Sequence, residues 1–367
     1  MEPAPVTVQL RPAATRLSAA ERTARLAHLA FGGAFTEHMV RMRWSTASGW
    51  HEAELVPYGP LPMDPAMVGL HYGQVVFEGL KAFRTVRGGL GIFRPDEYAR
   101  RFRASARRLH MPELPESMFV SAVAELTRQD REWLPNDPNV SLYLRPILFA
   151  SEPKLALRPA TEYQLLVIAF VTEGFFGREP RPVRVWLTDE YTRAAPGGTG
   201  AAKYAGNYAA TYPAQAQAAE HGCDQVVWLD SAEHSWVEEM GGMNVFFVYG
   251  GGVRPRLLTP PLSGTILPGV TRDSVLTLAA DLGMDTVEAP ISVDRWRADC
   301  ASGALTEVFA CGTAAGISPV GQVRSTTGSW QVRDGKPGEV TMRLARRLSE
   351  VQHDESADAR RWLFPVD

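Results

Sequence analysis

The chain has 367 residues, of which 45% are hydrophobic and 22% charged, and its formal net charge is −3. This composition is typical of a globular protein with an ample core, and the slight acidity argues against nucleic acid as the main partner. No apolar run approaches the roughly 18 residues that a membrane span needs. The three cysteines include no C-x-x-C pair and the eight histidines no H-E-x-x-H spacing, so we expect a cytoplasmic protein without a disulfide framework or a metal site.

The first 30 residues are predicted to form a surface arm. They are rich in Ala and Arg, as mitochondrial transit peptides are, but they also carry Glu2, Glu21 and two early prolines. They lack the apolar core of a secretory signal. We therefore expect an arm, at 1–30, that leads into the fold.

The next segment predicts a small α/β domain at 31–173. Pro95 at a first-turn position predicts a helix to about Leu109, with Tyr98 and Phe102 on its inward face. Runs of β-branched and aromatic residues predict the strands. These are a hairpin from Ala34 to Val56, a run from His71 to Arg84 that Glu78-Gly79 interrupts, Gly91–Phe93, Ser141–Phe149 and Tyr163–Val171.

Glycines, prolines and charges between Thr172 and Pro182 indicate a domain boundary. We predict a linker at 174–184 and a large domain at 185–367. Strands and helices mix there without strict alternation, so the fold class is α/β or α+β in two domains. The predicted elements are strands at Val183–Thr188, Cys223–Leu229, Ser235–Val237, Asn244–Val248 and Glu307–Cys311, a helix at Tyr208–His221, and a helix that starts at Pro268-Gly269 and ends at Gly283.

Lys203 is the first candidate for chemistry, because only four of the 38 basic side chains are lysines. It lies among small residues, in a segment rich in Gly and Ala. Arginine cannot form a Schiff base, whereas a lysine amine withdrawn from water can. The segment therefore indicates carbonyl or cofactor chemistry, with a surface-loop lysine as the alternative. A P-loop is excluded, because Ala202 precedes the lysine and Tyr204 follows it.

Three segments are candidates for binding an anion. Arg101 lies at the edge of the apolar face of its helix, where its guanidinium either reaches an internal anion or extends into solvent. Val270-Thr271 offers backbone N–H groups at a helix start, and Gly312-Thr313 offers a similar turn after a strand. Each signal is weak alone, because most helix starts bind only water.

Glu238-Glu239 precedes a Gly-Gly turn between two apolar runs. Adjacent strand residues face opposite ways, so one carboxylate should point inward and one outward. An inward carboxylate needs a cationic or hydrogen-bonded partner, and a protonated ring nitrogen is such a partner. A hairpin with solvated acids is the alternative.

Taken together, these motifs resemble those of branched-chain amino-acid aminotransferases, which are fold-type IV enzymes dependent on pyridoxal 5′-phosphate (PLP). The resemblance runs from about Phe31 to Val366, and the motifs are specific as a group. In the second half they are Lys203–Tyr208, Glu239–Asn244, Leu267–Asp273 and Gly312–Ala314; in the first half they are Phe31-Gly32, Phe35–Met39, Leu70–Gly73, Phe77–Phe83 and Tyr143–Pro146. The implied fold resembles D-amino-acid aminotransferase, with a smaller N-terminal α/β sandwich and a larger C-terminal α/β pseudo-barrel.

The resemblance implies a PLP site. Lys203 would hold PLP covalently and move the proton during catalysis, and Glu239 would keep the pyridine nitrogen protonated. Tyr208 would hydrogen-bond the phenolic oxygen of PLP. The phosphate would be held by Arg101, Val270, Thr271 and Thr313. Lys81, the competing lysine, is expected to be structural.

The resemblance also implies a substrate pocket. Backbone N–H groups near Thr313 and Ala314 would bind the α-carboxylate. Arg145 would contribute to binding the distal carboxylate of glutamate. The aromatic pocket for an aliphatic side chain would consist of Phe31, Tyr72, Phe77 and Tyr143.

The implied function is reversible amino transfer between Leu, Ile or Val and 2-oxoglutarate by a ping-pong mechanism through pyridoxamine phosphate, in amino-acid biosynthesis or degradation. The family resemblance also implies a homodimer. D-Amino-acid transamination and aminodeoxychorismate cleavage are the nearest alternatives, and Tyr143-x-Arg145 with Phe77-Glu78-Gly79 favours the L-branched-chain activity. A non-catalytic binding protein with the same phosphate turns is a further alternative. The sequence does not rank Leu, Ile and Val.

Overall fold

The computed structural model describes residues 7–27, 29–173, 181–250, 254–355 and 362–366. These residues fall into two units. The first contains the described residues of Met1–Phe175, Ala202–Gly206 and Glu350–Asp367, and the second those of Phe176–Ala201 and Asn207–Ser349. The lysine segment and the C-terminal residues thus belong to the first unit, although the sequence assigned them to the large domain. Of the predicted linker, 174–180 lie outside the described residues.

In the described part of the first unit, nine strands form one sheet. Their order is β1-β3-β2-β8-β7-β5-β6-β18, with β4 also paired to β7, and all pairs are antiparallel except β1 with β3. The strands, numbered along the chain, are β1 (Gln9–Leu10), β2 (Ala34–Ser45), β3 (Gly49–Pro57), β4 (Val75–Phe77), β5 (Leu80–Arg84), β6 (Leu90–Phe93), β7 (Ser141–Ala150), β8 (Glu162–Thr172) and β18 (Leu363–Val366).

The helices of the first unit are α1 (Ala19–Leu26), α2 (Val68–Tyr72), α3 (Pro95–Arg108) and α4 (Glu116–Gln129). Helix α3 starts at its proline, as predicted, because the fixed φ of proline suits the first helical position. Its inward face packs on α4, where the Phe102 and Phe119 rings lie 5.4 Å apart. Helix α4 in turn covers β2, β7 and β8. The sheet and these helices form the predicted α/β sandwich.

In the described part of the second unit, nine further strands form a mixed sheet. Its order is β11-β10-β9-β16-β15-β12-β13-β14, with β17 paired to β16, and a β11–β12 pairing closes six of these strands into a barrel. The predicted pseudo-barrel is therefore confirmed. The strands are β9 (Val183–Leu187), β10 (Gln225–Leu229), β11 (Val237–Met240), β12 (Met243–Tyr249), β13 (Arg256–Thr259), β14 (Asp285–Glu288), β15 (Leu305–Gly312), β16 (Gly316–Ser325) and β17 (Gly328–Gln331).

Both faces of barrel strand β9 pack against apolar cores. Val183, Val185 and Leu187 join one apolar core, whereas Trp186 packs on a second core with α6. The helices are α5 (Gly206–Ala209), α6 (Tyr212–Glu220), α7 (Val270–Asp281), α8 (Val293–Ser302) and α9 (Glu339–Gln352). No helix in the described ranges is both long enough and apolar enough to cross a membrane.

Three predicted elements were wrong in detail. The strand predicted at Ser235–Val237 shares only Val237 with the observed strand β11. The run that begins at His71 is not a strand there, because Val68–Tyr72 is helical and ends at Gly73, which takes the left-handed conformation with φ 69°. The predicted helix at 208–221 is two helices. The Thr211 N–H and hydroxyl both donate to the Tyr208 carbonyl, at 3.0 and 2.6 Å, and turn the chain between them.

Candidate active site

Lys203 is held by its backbone in the first unit. Its N–H donates to the Ser105 hydroxyl at 2.9 Å, and its carbonyl accepts from the Phe77 N–H at 3.1 Å. The Ala205 N–H also donates to the Val75 carbonyl at 3.1 Å. The lysine segment therefore lies along β4 like an added strand, and its position is fixed from both sides.

The Lys203 side chain and Arg145 contact the same aromatic ring. The Lys203 Nζ and the Arg145 Cζ each lie 5.0 Å from the centroid of Phe77, and Arg145 is also 5.4 Å from the Tyr143 ring. The Nε of Arg145 is buried and has no hydrogen-bond partner among the described residues. A cation with an unsatisfied buried donor suits an anionic ligand.

Three aromatic rings form a cluster next to Arg145. Phe31 lies 5.1 Å from Tyr143 and 5.0 Å from Phe170, and the rings of Tyr143 and Phe170 stack at 4.8 Å across β7 and β8. Gly79 lies against the Tyr143 hydroxyl, and a Cβ there would overlap it. The first unit thus brings together Phe31, Phe77, Tyr143 and Arg145, four of the residues proposed for the substrate site.

Tyr72, also predicted for this pocket, has a different environment. It belongs to α2, and 48% of its surface is exposed. It lines a cavity of 380 Å³ together with Gln74, Arg158 and Tyr204. Within the first unit, Tyr72 is therefore not one of the rings that stack around Phe31.

Arg101 is buried, with 8% of its surface exposed. Its Nε and Nη2 donate to the two carboxylate oxygens of Glu78, at 2.7 and 2.8 Å, and Glu78 is fully buried. Of the two orientations that the sequence left open for Arg101, the structure has the inward one.

In the second unit, Glu239 is buried, with 2% of its surface exposed. Several hydrogen-bond donors and a cation contact its carboxylate. Its Oε1 accepts from the Leu267 N–H at 2.9 Å and from the Asn244 amide at 3.4 Å, and its Oε2 lies 2.9 Å from the Arg193 Nε. The Nε–H of Arg193 does not point at that oxygen, so this contact is an ion pair rather than a hydrogen bond.

Glu238 does not point to solvent, contrary to the prediction. Only 8% of its surface is exposed, because both faces of the barrel strand are covered. Its Oε1 accepts from the Thr265 hydroxyl, and its Oε2 has no hydrogen-bond partner among the described residues. Burial raises the pKa of Glu238. Burial therefore favours the neutral form of Glu238.

The remaining predicted residues of the second unit surround the Glu239–Asn244 turn. Tyr208 lies over Gly242, and the Gly312 end of β15, next to Thr313 and Ala314, lies against the same glycine. A Cβ at Gly269 would overlap the Asn244 amide, which shows that the start of α7 also contacts this turn closely. The N-cap of α7 is this glycine, so no side chain caps Val270 and Thr271.

A family model described as amino-transferase class IV matches residues 75–323. The chain belongs to the class IV aminotransferase family. It is therefore a transaminase, and the fold and enzyme class predicted from the sequence are confirmed. The matched region contains the predicted site residues of this aminotransferase except Phe31 and Tyr72, which precede it.

Curated relatives and solved structures of this aminotransferase support the same family. The chain is 51% identical to the branched-chain-amino-acid aminotransferase of Mycolicibacterium smegmatis, with 94% of both chains covered. It is 50% identical to the probable branched-chain-amino-acid aminotransferase of Streptomyces coelicolor, with 98% of this chain and 99% of the relative covered. The branched-chain amino acid aminotransferase structure from Escherichia coli matches with a TM-score of 0.75 and 27% identity, over 90% of this chain and 100% of that one.

Sequence reasoning missed three residues that shape the site of this aminotransferase. They are Glu78, Ser105 and Arg193. The sequence placed Glu78 in the Phe77–Phe83 motif but indicated no partner for it, and Arg193 had no signal beyond its place ten residues before the lysine. Partners distant in the chain decide what these side chains do.

Proposed function

We propose that this class IV aminotransferase transfers the amino group between L-branched-chain amino acids and 2-oxoglutarate, with PLP as its cofactor. The observation that carries the substrate assignment is Arg145 among the aromatic rings of Phe77 and Tyr143. An aliphatic side chain is compatible with the rings, and a distal carboxylate is compatible with the guanidinium. Relatives with about 50% sequence identity, whose names give this activity, support the same assignment.

The residues present fit PLP. Lys203 supplies an amine that the backbone holds beside an aromatic ring. The start of α7, with no side-chain cap, suits a phosphate, and the buried carboxylate of Glu239 suits a basic ring nitrogen. One structural neighbour, a branched-chain amino acid aminotransferase solved with pyridoxamine 5′-phosphate, matches with a TM-score of 0.72 and 28% identity, over 89% of this chain and 98% of that one.

Each residue has a proposed task. PLP, when bound, supplies an electrophilic carbonyl and a ring that accepts electrons. Lys203 would bond to it and move the proton at the substrate Cα, and Glu239 would hold a proton at the ring nitrogen. Tyr208 would donate to the phenolic oxygen of PLP. The phosphate would be bound by Arg101, Val270, Thr271 and Thr313, and the α-carboxylate by Thr313 and Ala314.

The substrate side is proposed in the same way. Phe31, Phe77 and Tyr143 would enclose the aliphatic side chain, and Arg145 would bind the distal carboxylate of glutamate. Tyr72 stays in the proposed pocket on the family resemblance alone, since it is about half exposed and is not one of the rings that stack around Phe31. We also propose a homodimer, a cytoplasmic location and a role in branched-chain amino-acid biosynthesis.

The test is to locate the reactive amine. Borohydride reduction of the protein with PLP, followed by peptide mapping, should place the label on Lys203. Lys81 is a demanding control. The residue as a whole is partly exposed, but its amine is buried, and desolvation lowers the pKa of that amine to about 8. Lys81→Arg should keep the label, and Lys203→Arg should lose it. A label on Lys81 would refute the proposed role of Lys203.

The substrate assignment has its own measurement. Wild-type protein should convert L-leucine with 2-oxoglutarate, and D-leucine at a rate lower by orders of magnitude. Faster turnover of the D-enantiomer would reject the L-branched-chain assignment in favour of D-amino-acid transamination.

A further inference from the structure

Arg193 joins three parts of the second unit around Glu239. Its guanidinium lies 2.9 Å from the Glu239 carboxylate, and the pair is almost fully buried, with side-chain exposures of 8% and 3%. Its Nη2 donates to the carbonyl of Thr265 and contacts that of Gly200 at 3.5 Å. Because two carbonyls and a carboxylate fix its orientation, the charge of Arg193 has a defined position.

That position gives Arg193 a specific electrostatic effect. A proton shared between a carboxyl and a ring nitrogen lies either on the oxygen, with both partners neutral, or on the nitrogen, as an ion pair. A cation in contact with the carboxylate stabilises the negative charge on that carboxylate. The same cation repels a positive charge on the far side of the carboxylate less strongly, because the interaction falls with distance. Arg193 therefore favours the proton on the ring.

The neighbouring acid does not cancel this effect. Glu238 lies beside Glu239 in β11, and Arg193 also acts on it at longer range. Burial raises the pKa of Glu238, which favours its neutral form. Asp230, the other acid that influences Glu238, accepts four backbone N–H bonds in its own turn. The charge of Arg193 is thus balanced mainly by Glu239.

We propose that Arg193 is a positioning residue that keeps Glu239 anionic and the ring nitrogen of bound PLP protonated. This inference rests on the proposed function. Arg193 would act through Glu239, which is the side chain that its guanidinium contacts. Loss of the charge should place the proton on Glu239 and leave a neutral ring, which accepts electrons poorly. The expected effect on kcat is a loss of about 10- to 100-fold, as for removal of other outer partners of a functional group.

The experiment uses holoenzyme loaded with PLP that carries nitrogen-15 in the ring, since this resonance distinguishes a protonated from a neutral nitrogen. We expect wild type and Arg193→Lys to show a protonated ring, and Arg193→Gln a neutral one with reduced kcat. Arg256→Gln is the matched control, because it breaks an exposed pair with Asp285 at 3.0 Å. It should behave as wild type.

Three results would overturn the proposal. A protonated ring in Arg193→Gln would show that the charge is not needed. A neutral ring in folded Arg193→Lys would show that charge alone does not act, and this variant decides the question if Arg193→Gln does not fold. Wild-type protein that takes up no PLP would overturn the proposed function itself, and the role of Arg193 with it.

Discussion

Gly79 sets the position of the Tyr143 ring, and replacing it by alanine should displace that ring. An added Cβ would overlap the Tyr143 hydroxyl and would lie 2.6 and 2.9 Å from two ring carbons, where 3.4 Å is an ordinary contact. The ring must therefore move by at least 0.8 Å, the difference between 3.4 and 2.6 Å. Gly79 is not among the described residues with positive φ, so alanine is compatible with its backbone.

The cost should appear mainly in activity. Overpacking of this kind destabilises a protein by about 1–3 kcal/mol. A displacement of about 1 Å in a substrate pocket costs up to roughly 100-fold in rate. We therefore expect Gly79→Ala to stay folded at 25 °C while kcat/KM for L-leucine falls by about one to two orders of magnitude. Steady-state kinetics and urea unfolding measure the two effects separately.

Gly59→Ala is the matched control. Its added Cβ would meet no atom within 4 Å, and its φ is not positive. It should change the free energy of unfolding by no more than about 0.5 kcal/mol and leave the kinetics unchanged. If Gly79→Ala retained kcat/KM within twofold of Gly59→Ala, the reasoning about Tyr143 would be refuted.

Two further predictions concern buried charges in the first unit. Glu78→Gln leaves the Arg101 guanidinium, 8% exposed, without its counter-ion, so it should lower the free energy of unfolding by about 3–5 kcal/mol in urea titrations; a loss below about 1 kcal/mol would contradict the pairing. For Glu152, the hydrogen bonds from Arg158 lower its pKa from 4.5 to about 2. A depressed carboxyl pKa stabilises the folded state above pH 4.5, and this stabilisation is lost as the pH falls toward 2. Glu152→Gln should therefore lower the urea midpoint at pH 7, and its difference from wild type should shrink in that window; a constant difference would argue against it.

Local signals account for the elements that the sequence predicted well. The start of α3 depends on Pro95, and the hairpin of β2 and β3 depends on alternation that both strands show along their own length. The helix at Val68–Tyr72 was missed because its apolar residues also suit a strand, and only Gly73 ends it. Helix α4, although amphipathic, was not predicted from the sequence.

The site was predictable only in part, for a similar reason. Lys203 and Glu239 were proposed because their neighbours form recognisable motifs. The partners that bury them were not found, because the pairing of Arg193 with Glu239, or of Glu78 with Arg101, depends on contacts between distant segments. Glu238 was assigned to solvent because strand alternation separates the two faces of a strand but does not show whether the second face is also buried.

The last strand of the chain completes a sheet that begins at Gln9. Strand β18 pairs with β6 along its whole length, and the Trp362 carbonyl accepts from the Arg94 N–H at 2.6 Å. During synthesis the edge of β6 therefore stays unpaired until residues 363–366 have been made. Unpaired edges invite association with other chains. A version truncated after residue 355 should therefore aggregate.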